Sequence, residues 1–335
     1  MTEGRGRRRA IRLVVGLMVS GLFAVATIGR VDLAEVGAAL GRVDFAIVLL
    51  AVPVVGLELV LRAIRWQRLL RPIAPIALRR TVAYLAIGYF ANSMLPARLG
   101  DVARAFLAGR AFGIGRLTVL GTILVERLAD GLFILAVVAV LGLTVAGGAS
   151  LASTAILLGA IGGAGVIVLA AWLVWVRRPV GGRLRTSVRS FVERVLRGVS
   201  GLRSPAVAAP TALLTVAAFT TAVAMFAIVA EAAGADLTLA QCALVMGGLA
   251  LSTSIPAGPG SIGTYEFVGL TILTALGLAP EPALAIVVIV HLVATLPVAL
   301  AGLIAAWQLH FRFSEIAEDA EPANLAAAEA APERA

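Results

Sequence analysis

Long apolar runs separated by short charged segments dominate the pattern of residues along this chain. A helix needs about 20 consecutive, mostly apolar residues to cross the hydrocarbon core of a bilayer. Such runs predict spanning helices at 11–29, 45–64, 117–147, 152–176, 210–233 and 282–309. The pattern therefore predicts an all-α polytopic membrane protein.

Two further apolar stretches, 81–115 and 239–279, differ from simple spans. Pro and Gly residues interrupt each stretch in its middle, which leaves two pieces too short to cross a bilayer alone. Such breaks are tolerated at membrane depth only where protein or a watery cavity surrounds the exposed backbone. We therefore predict that each stretch forms a re-entrant helical hairpin.

The two broken stretches resemble each other at an offset of 160 residues. Residues 92–101 (NSMLPARLGD) align with residues 252–261 (STSIPAGPGS), and Pro, Ala and Gly match in register. Chance similarity between apolar sequences is the alternative, but the order of spans around each hairpin also matches. Repeat 1, about 11–147, and repeat 2, about 152–309, each have three crossings, so the second repeat is inverted. Paired broken segments in inverted halves are typical of transporters with a midplane site.

Composition and charge place the chain in a bilayer. Hydrophobic residues make up 60% of the sequence, charged residues 14%, and the mean hydropathy is +1.00. The net charge of +9 could indicate a nucleic-acid partner, but every basic residue is Arg and most lie in tracts between apolar runs. That distribution is typical of the positive-inside pattern, so we expect membrane lipids and no nucleic acid as partners.

The arginine distribution also predicts an orientation. Of the 28 arginines, only Arg30 and Arg42 lie in segments assigned to the outside, and Arg127 lies within a span. We therefore expect a multi-pass protein of the bacterial or archaeal cell (inner) membrane with both termini in the cytoplasm. The membrane domain is predicted to cover 1–312 and to include a basic amphipathic cytoplasmic segment at 177–203. The acidic tail at 313–335 is predicted to be disordered.

The broken centres of the two hairpins suggest a site for an anionic group. A half-helix that starts just after Pro96 or Pro256 would leave its first N–H groups unpaired and point its positive end into the membrane. Gly258 and Gly260 would let the backbone approach a lipid phosphate closely. The alternative is a kinked helix whose free amides bond to neighbouring residues.

Ionisable residues at membrane depth are the second indication of a site. Each costs about 2.5–3.5 kcal/mol on insertion scales, so such residues usually pair with each other or line a pathway. Function is one interpretation, and structural ion pairs such as Asp101 with Arg127 or Glu126 with Arg104 are the other. The candidate substrate-binding residues are Glu58, Arg62, Asn92, Pro96, Arg98, Asp101, Arg104, Glu126, Arg127, Asp130, Pro256, Gly258, Gly260, Ser261 and Glu266.

The sequence contains no recognisable catalytic or metal-binding motif. Ser-His-Asp sets, phosphate-binding Walker loops and metal-ligand spacings are absent from it, and Cys242 is the single cysteine. His291 lies within a predicted span, where a single histidine more often packs through hydrogen bonds than relays protons. We therefore expect no catalytic residue, metal or cofactor, and a transporter rather than an enzyme.

Several short motifs resemble a known family. In order they are Arg65-Trp66, Gly88-Tyr89-Phe90-x-Asn92, Pro96-x-Arg98-Leu99-Gly100-Asp101-x-x-Arg104, Glu126-Arg127-x-x-Asp130 and Pro256-x-x-Pro259-Gly260-x-Ile262-Gly263-x-x-Glu266. Together, over roughly 10–310, they resemble the flippase-like membrane domain of lysylphosphatidylglycerol synthases of the multiple peptide resistance factor type. This chain departs from the family pattern at Ser261, where a second Gly is usual, and at His291, where many relatives have Arg.

The resemblance implies a protein that moves a lipid between leaflets. In the family a soluble C-terminal domain attaches the amino acid, and we expect this chain to be a stand-alone form without that synthase domain. The lipid would be an anionic phospholipid or a polyprenyl- or hopanoid-type lipid. Two alternatives stay open: an intramembrane head-group transferase with Glu126 or Glu266 as general base, and a non-catalytic membrane subunit of a separate synthase.

Overall fold

The computed structural model describes residues 3–95, 99–145, 204–255 and 257–311, together with the single residues 193 and 198. Every regular element within these ranges is helical. The α-helices are α1 (Glu3–Ile28), α2 (Leu33–Gly41), α3 (Phe45–Leu70), α4 (Leu78–Met94), α5 (Leu99–Phe112), α6 (Arg116–Thr144), α7 (Pro205–Ala232), α8 (Leu239–Ser252), α9 (Thr264–Ala275) and α10 (Pro280–Gln308). A short 3-10 turn, Pro259–Ser261, lies between α8 and α9.

Three of the described helices are long and apolar enough to cross a membrane. These are α3, α7 and α10, which correspond to the spans predicted at 45–64, 210–233 and 282–309. Residues 16–28 of α1 and the whole of α2 form a pair bent by 82°, which would make a fourth span if counted as one. The span predicted at 117–147 is one continuous helix, α6. The predicted span 152–176 and the tail lie outside the described residues, as does nearly all of 177–203.

Both predicted hairpins are broken where Pro and Gly interrupt them. The first consists of α4 and α5, and the second of α8, the 3-10 turn and α9. Pro96, Arg98 and Pro256 lie outside the described residues. The second half-helix begins at Thr264, later than expected, because the 3-10 turn and two positive-φ glycines, Gly260 (68°) and Gly263 (91°), intervene.

Helices from the two ends of the sequence interleave in the bundle. The helix α3 packs along α7, α4 packs against α10, and α8 packs against α6. Thus the first helix of each hairpin contacts the long helix that follows the other hairpin. Gly302 permits the close crossing of α4 and α10, because an added Cβ there would collide with the Ala86 carbonyl oxygen and the Phe90 side chain.

The two ends of the bundle differ in charge. At one end Arg80 donates to the Ala111 carbonyl (3.0 Å), and at the other the Asp44 N–H donates to the Ala232 carbonyl (2.9 Å). The first hairpin starts and finishes at the former end, and the second hairpin at the latter. The described arginines at the former end are Arg68, Arg71, Arg79, Arg80, Arg110 and Arg116. The latter end carries Arg30 and Arg42 with the acids Asp32, Glu35, Asp44, Glu231, Asp236 and Glu281.

A charged cavity between two broken helices

A cavity of about 530 Å³ lies at the centre of the bundle, where the two hairpins meet. That volume is within the range of small-molecule sites in proteins. Its charged lining comes from α3, α5 and α6, whereas α7, α8 and α10 contribute only uncharged side chains to it. The charged lining residues are Glu58, Arg62, Asp101, Arg127 and Asp130, and the uncharged ones include Phe219, Met225, Met246, Leu251 and Val298.

Arg127 and Asp101 form the ion pair that joins α6 to the first hairpin. The Arg127 Nε donates to Asp101 Oδ2 at 2.9 Å, and its Nη2 donates to Oδ1 at 2.7 Å. This two-point geometry fixes the plane of the guanidinium. The Asn92 amide of α4 donates to the same Asp101 Oδ1 at 3.4 Å. Arg127 retains 26% side-chain exposure, so part of its guanidinium faces the cavity.

Arg62 joins α3 to α6 on the neighbouring part of the cavity wall. Its Nε donates to Glu58 Oε1 at 2.8 Å, one turn away on α3, and its Nη1 donates to Asp130 Oδ2 at 3.2 Å. These three side chains keep 15–20% exposure. Both ion-pair groups of the cavity wall, Arg127 with Asp101 and Arg62 with Glu58 and Asp130, are therefore partly exposed.

Three more charged residues lie behind this wall and do not line the cavity. Arg65, Arg104 and Glu126 are at most 4% exposed. Arg104 pairs with Glu126, whose other oxygen lies 3.6 Å from Arg65 Nη2. Arg65 also pairs with Asp130 and donates to the Thr215 hydroxyl of α7 at 2.8 Å. This buried group connects α3, α5, α6 and α7.

The eight charges of the two layers balance. Four arginines face four carboxylates, and each has an opposite charge within 4 Å. The pairs Asp101–Arg127 and Glu126–Arg104, which the sequence suggested as structural ion pairs, are both present. Pairing offsets the cost of removing these charges from water. The arginines are Arg62, Arg65, Arg104 and Arg127, and the carboxylates are Glu58, Asp101, Glu126 and Asp130.

Local features of the first hairpin bring Arg104 to Glu126. Gly88 of α4 leaves room for the Arg104 stem, because an added Cβ would lie 3.0 Å from the Arg104 Cβ and Cδ atoms. The guanidinium then lies over the Trp66 ring, 4.3 Å from its centroid, which adds a cation–π contact. Trp66 is itself fixed by donating from its indole nitrogen to the Thr122 hydroxyl at 3.0 Å.

The second hairpin carries a separate polar group beside the cavity. The His291 ring of α10 lies with Nδ1 2.5 Å from Glu266 Oε1 and Nε2 3.0 Å from the Gly260 carbonyl oxygen. The other Glu266 oxygen accepts the Gly263 N–H at 2.6 Å, so it caps the start of α9. Tyr265 stacks on the His291 ring, 4.2 Å between centroids, and also lines the cavity.

The glycines of the second hairpin pack against α1. The Gly258 N–H donates to the Ser20 hydroxyl at 3.0 Å, and an added Cβ on Gly263 would collide with the Ser20 carbonyl. The N–H groups that we expected to be unpaired after Pro256 are therefore hydrogen-bonded at Gly258 and Gly263. Within the described residues no group of three or more His, Cys, Asp or Glu side chains could hold a metal ion.

Comparison with protein families identifies the chain. The family model described as lysylphosphatidylglycerol synthase TM region matches residues 11–302, which include every residue that lines the cavity. The chain belongs to this family. No curated protein matches it. Membership agrees with the resemblance seen in the motifs, and it gives a membrane protein with a lipid-related role.

The predicted site residues that lie within the described part of this family member fall into three groups. Five charged residues line the cavity, and Arg104 and Glu126 lie behind its wall, while Asn92 reaches Asp101. The second hairpin residues Gly258, Gly260, Ser261 and Glu266 form the neighbouring group that Tyr265 joins to the cavity.

Sequence reasoning missed Arg65, Tyr89, Thr215 and Tyr265 as site residues. Arg65 could have been found, because Glu58, Arg62 and Arg65 recur at helical spacing on one face of α3.

Proposed function

We propose that this protein moves a lipid between membrane leaflets and holds its charged head group in the central cavity. The observation that carries the proposal is the segregation of charge within that cavity. Charged side chains come from α3, α5 and α6, and α7, α8 and α10 supply an uncharged, largely apolar remainder. A phospholipid or other lipid-linked substrate combines the same two chemistries in one molecule.

The two cavity-lining arginines are suited to a head-group phosphate. Guanidinium groups bind phosphate through two parallel N–H donors, and both Arg62 and Arg127 keep part of their surface accessible. A phosphate that takes donors from Arg127 would compete with Asp101, so binding of the head group would loosen the tie between α6 and the first hairpin. That competition gives the substrate a direct effect on the broken helix.

The arrangement of the helices supports access from both sides of the membrane. At the offset of 160 residues, α3, α4 and α6 correspond to α7, α8 and α10. The α4–α10 contact therefore corresponds to the α8–α6 contact, and the equivalent helices α3 and α7 contact each other. Ser93 and Thr253, which are 160 residues apart in the alignment of the two hairpins, both line the cavity. An inverted repeat with one site between its halves is the architecture of alternating-access transporters.

The proposal is tested by filling the cavity without disturbing the fold. Gly131 lines the cavity, and an added Cβ there meets no atom within 4 Å. Gly131→Leu should therefore occupy head-group space and slow lipid movement by tenfold or more, roughly the effect of 1.4 kcal/mol on a barrier. The measurement is the transfer of fluorescent phospholipids in proteoliposomes, read by a quencher confined to the outside.

Gly56→Leu is the matched control, because Gly56 is exposed on α3 and its added Cβ also meets no atom within 4 Å. Its transfer rate should remain close to that of the unsubstituted protein. Equal rates for the two variants would contradict a head-group site in the cavity. A lipid recovered with a changed mass would instead favour head-group transfer.

A further inference from the structure

Both ring nitrogens of His291 face hydrogen-bond acceptors. Nδ1 lies 2.5 Å from a carboxylate oxygen of Glu266, and Nε2 lies 3.0 Å from the carbonyl oxygen of Gly260. A neutral imidazole has a single N–H, and a carbonyl oxygen never donates. The two contacts can both be hydrogen bonds only when the pair holds one proton more than a neutral histidine and an ionised carboxylate. That proton lies on the imidazole or on the carboxyl group.

We propose that Glu266 and His291 form a proton-binding site that controls the second broken hairpin. Loss of the shared proton leaves a bare nitrogen lone pair facing an oxygen lone pair, either at Glu266 or at Gly260. Such a contact is repulsive, so deprotonation releases α10 from the hairpin at one of these two points. The coupling of this release to lipid movement rests on the proposed function, whereas the proton site itself does not.

The position of the pair gives its protonation a mechanical consequence. Glu266 also caps α9 through the Gly263 N–H, and His291 holds the 3-10 turn through Gly260. That turn packs against α4 of the other hairpin, where Gly260 approaches the Ser93 carbonyl oxygen. Tyr265 stacks on the His291 ring and lines the cavity. A shift of the ring would therefore displace both the 3-10 turn, where the hairpins meet, and Tyr265 at the cavity wall.

The elements that pack near this pair carry further charged and titratable groups. Glu58 of α3 lines the cavity together with Tyr265, the ring that stacks on His291. Tyr89 of α4 lines the same cavity, and Arg30, after α1, lies over the Phe267 ring next to Glu266. At the start of α10, Glu281 accepts the Asp32 N–H (3.4 Å) beside α2.

Nuclear magnetic resonance of labelled histidine tests the site directly. The chain has two histidines, and His310 is exposed in the turn after α10, so His310→Gln leaves the His291 ring as the single signal. With 15N-histidine and 13C-glutamate in lipid nanodiscs, spectra recorded from about pH 5 to pH 9 should show this extra proton on the pair at the acid end and its loss as the pH rises. It would be seen as a ring with two N–H groups or as a protonated Glu266 carboxyl. In Glu266→Gln the amide can donate to Nδ1, so a neutral ring satisfies both contacts and the extra proton should be lost at a lower pH than in the unsubstituted protein.

The proton site is wrong if Glu266 stays ionised and one nitrogen of His291 stays unprotonated over that whole range. Its link to transport is tested with His291→Arg, which keeps a cation beside Glu266 that cannot titrate. Transfer by the unsubstituted protein should change roughly tenfold across that range, and transfer by His291→Arg less than about twofold. A titrating pair in a protein that moves no lipid would contradict the proposed function alone. A titrating pair with pH-independent transfer would contradict the coupling.

Discussion

At the scale of single residues, adjacent side chains on α6 have different roles. Glu126 is 4% exposed and accepts from one buried arginine while it faces a second, whereas Arg127 is 26% exposed and lines the cavity. The difference arises because successive helical residues point about 100° apart. Glu126 therefore supports the wall from behind, and Arg127 presents its guanidinium to a ligand.

Substitution of these neighbours should separate stability from transport. Glu126→Ala leaves the buried guanidiniums of Arg65 and Arg104 short of a counter-charge, which should cost about 3–5 kcal/mol of folding stability. Arg127→Ala should lose less stability, because its site is partly exposed and the Asn92 amide still donates to Asp101, yet it should move little lipid. Thermal unfolding in detergent and transfer in proteoliposomes measure the two effects. Equal loss of stability in both variants would contradict the assignment of Glu126 to a buried layer behind the cavity wall and of Arg127 to the wall itself.

The sequence predicted the charged residues better than their geometry. Asp101–Arg127 and Arg104–Glu126 could be anticipated, because an ionisable group in an apolar helix requires a partner. Arg65 directly follows the span predicted at 45–64, a position typical of arginines that orient helices, so the sequence alone does not distinguish it as a site residue. The role of Tyr265 could not be predicted, because its stacking on His291 depends on how α9 and α10 pack.

At the scale of elements, Pro and Gly located the breaks but not the conformation at them. The nine-residue helix α2 was not predicted, because its apolar run is too short to span and follows a bend of 82°. The start of α9 at Thr264 depends on the contact between Gly263 and Ser20 of α1. Residues more than 200 positions apart in sequence make that contact, so local patterns carry no information about it.

A pair of glycine substitutions measures the contact between α1 and the second hairpin. Gly263 and Gly277 have similar φ values, 91° and 99°, so alanine strains the backbone at both by roughly 1–3 kcal/mol. An added Cβ meets the Ser20 backbone at Gly263 and nothing within 4 Å at Gly277. Gly263→Ala should therefore lose about 1–3 kcal/mol more folding stability than Gly277→Ala because of overpacking. Its unfolding temperature should fall further accordingly. Equal shifts in the two variants would mean that α1 does not press on this hairpin.

At the scale of the whole molecule, the charge difference between the ends of the bundle supports an orientation. The described arginines gather where the first hairpin starts and finishes, and the acids gather where the second hairpin does. Positive residues favour the cytoplasmic side of a membrane. On that basis we propose that the first hairpin enters from the cytoplasm and the second from outside, which is the arrangement that an inverted repeat predicts.

Single cysteines at the two ends test this orientation in intact cells. The background is Cys242→Ala, which removes the one native cysteine, a buried residue on α8. Ala279 and Ala77 are both exposed residues that immediately precede a helix, so each can be replaced by cysteine at little structural cost. We expect a membrane-impermeant maleimide to label Ala279→Cys in intact cells. Ala77→Cys should react only after the membrane has been permeabilised, because the loop before α4 adjoins the arginine-rich end.

Labelling of both cysteine variants in permeabilised cells is the control for reactivity. The reverse pattern in intact cells would place the arginine-rich end outside, and the assignment of the hairpins to the two sides of the membrane would then have to be exchanged.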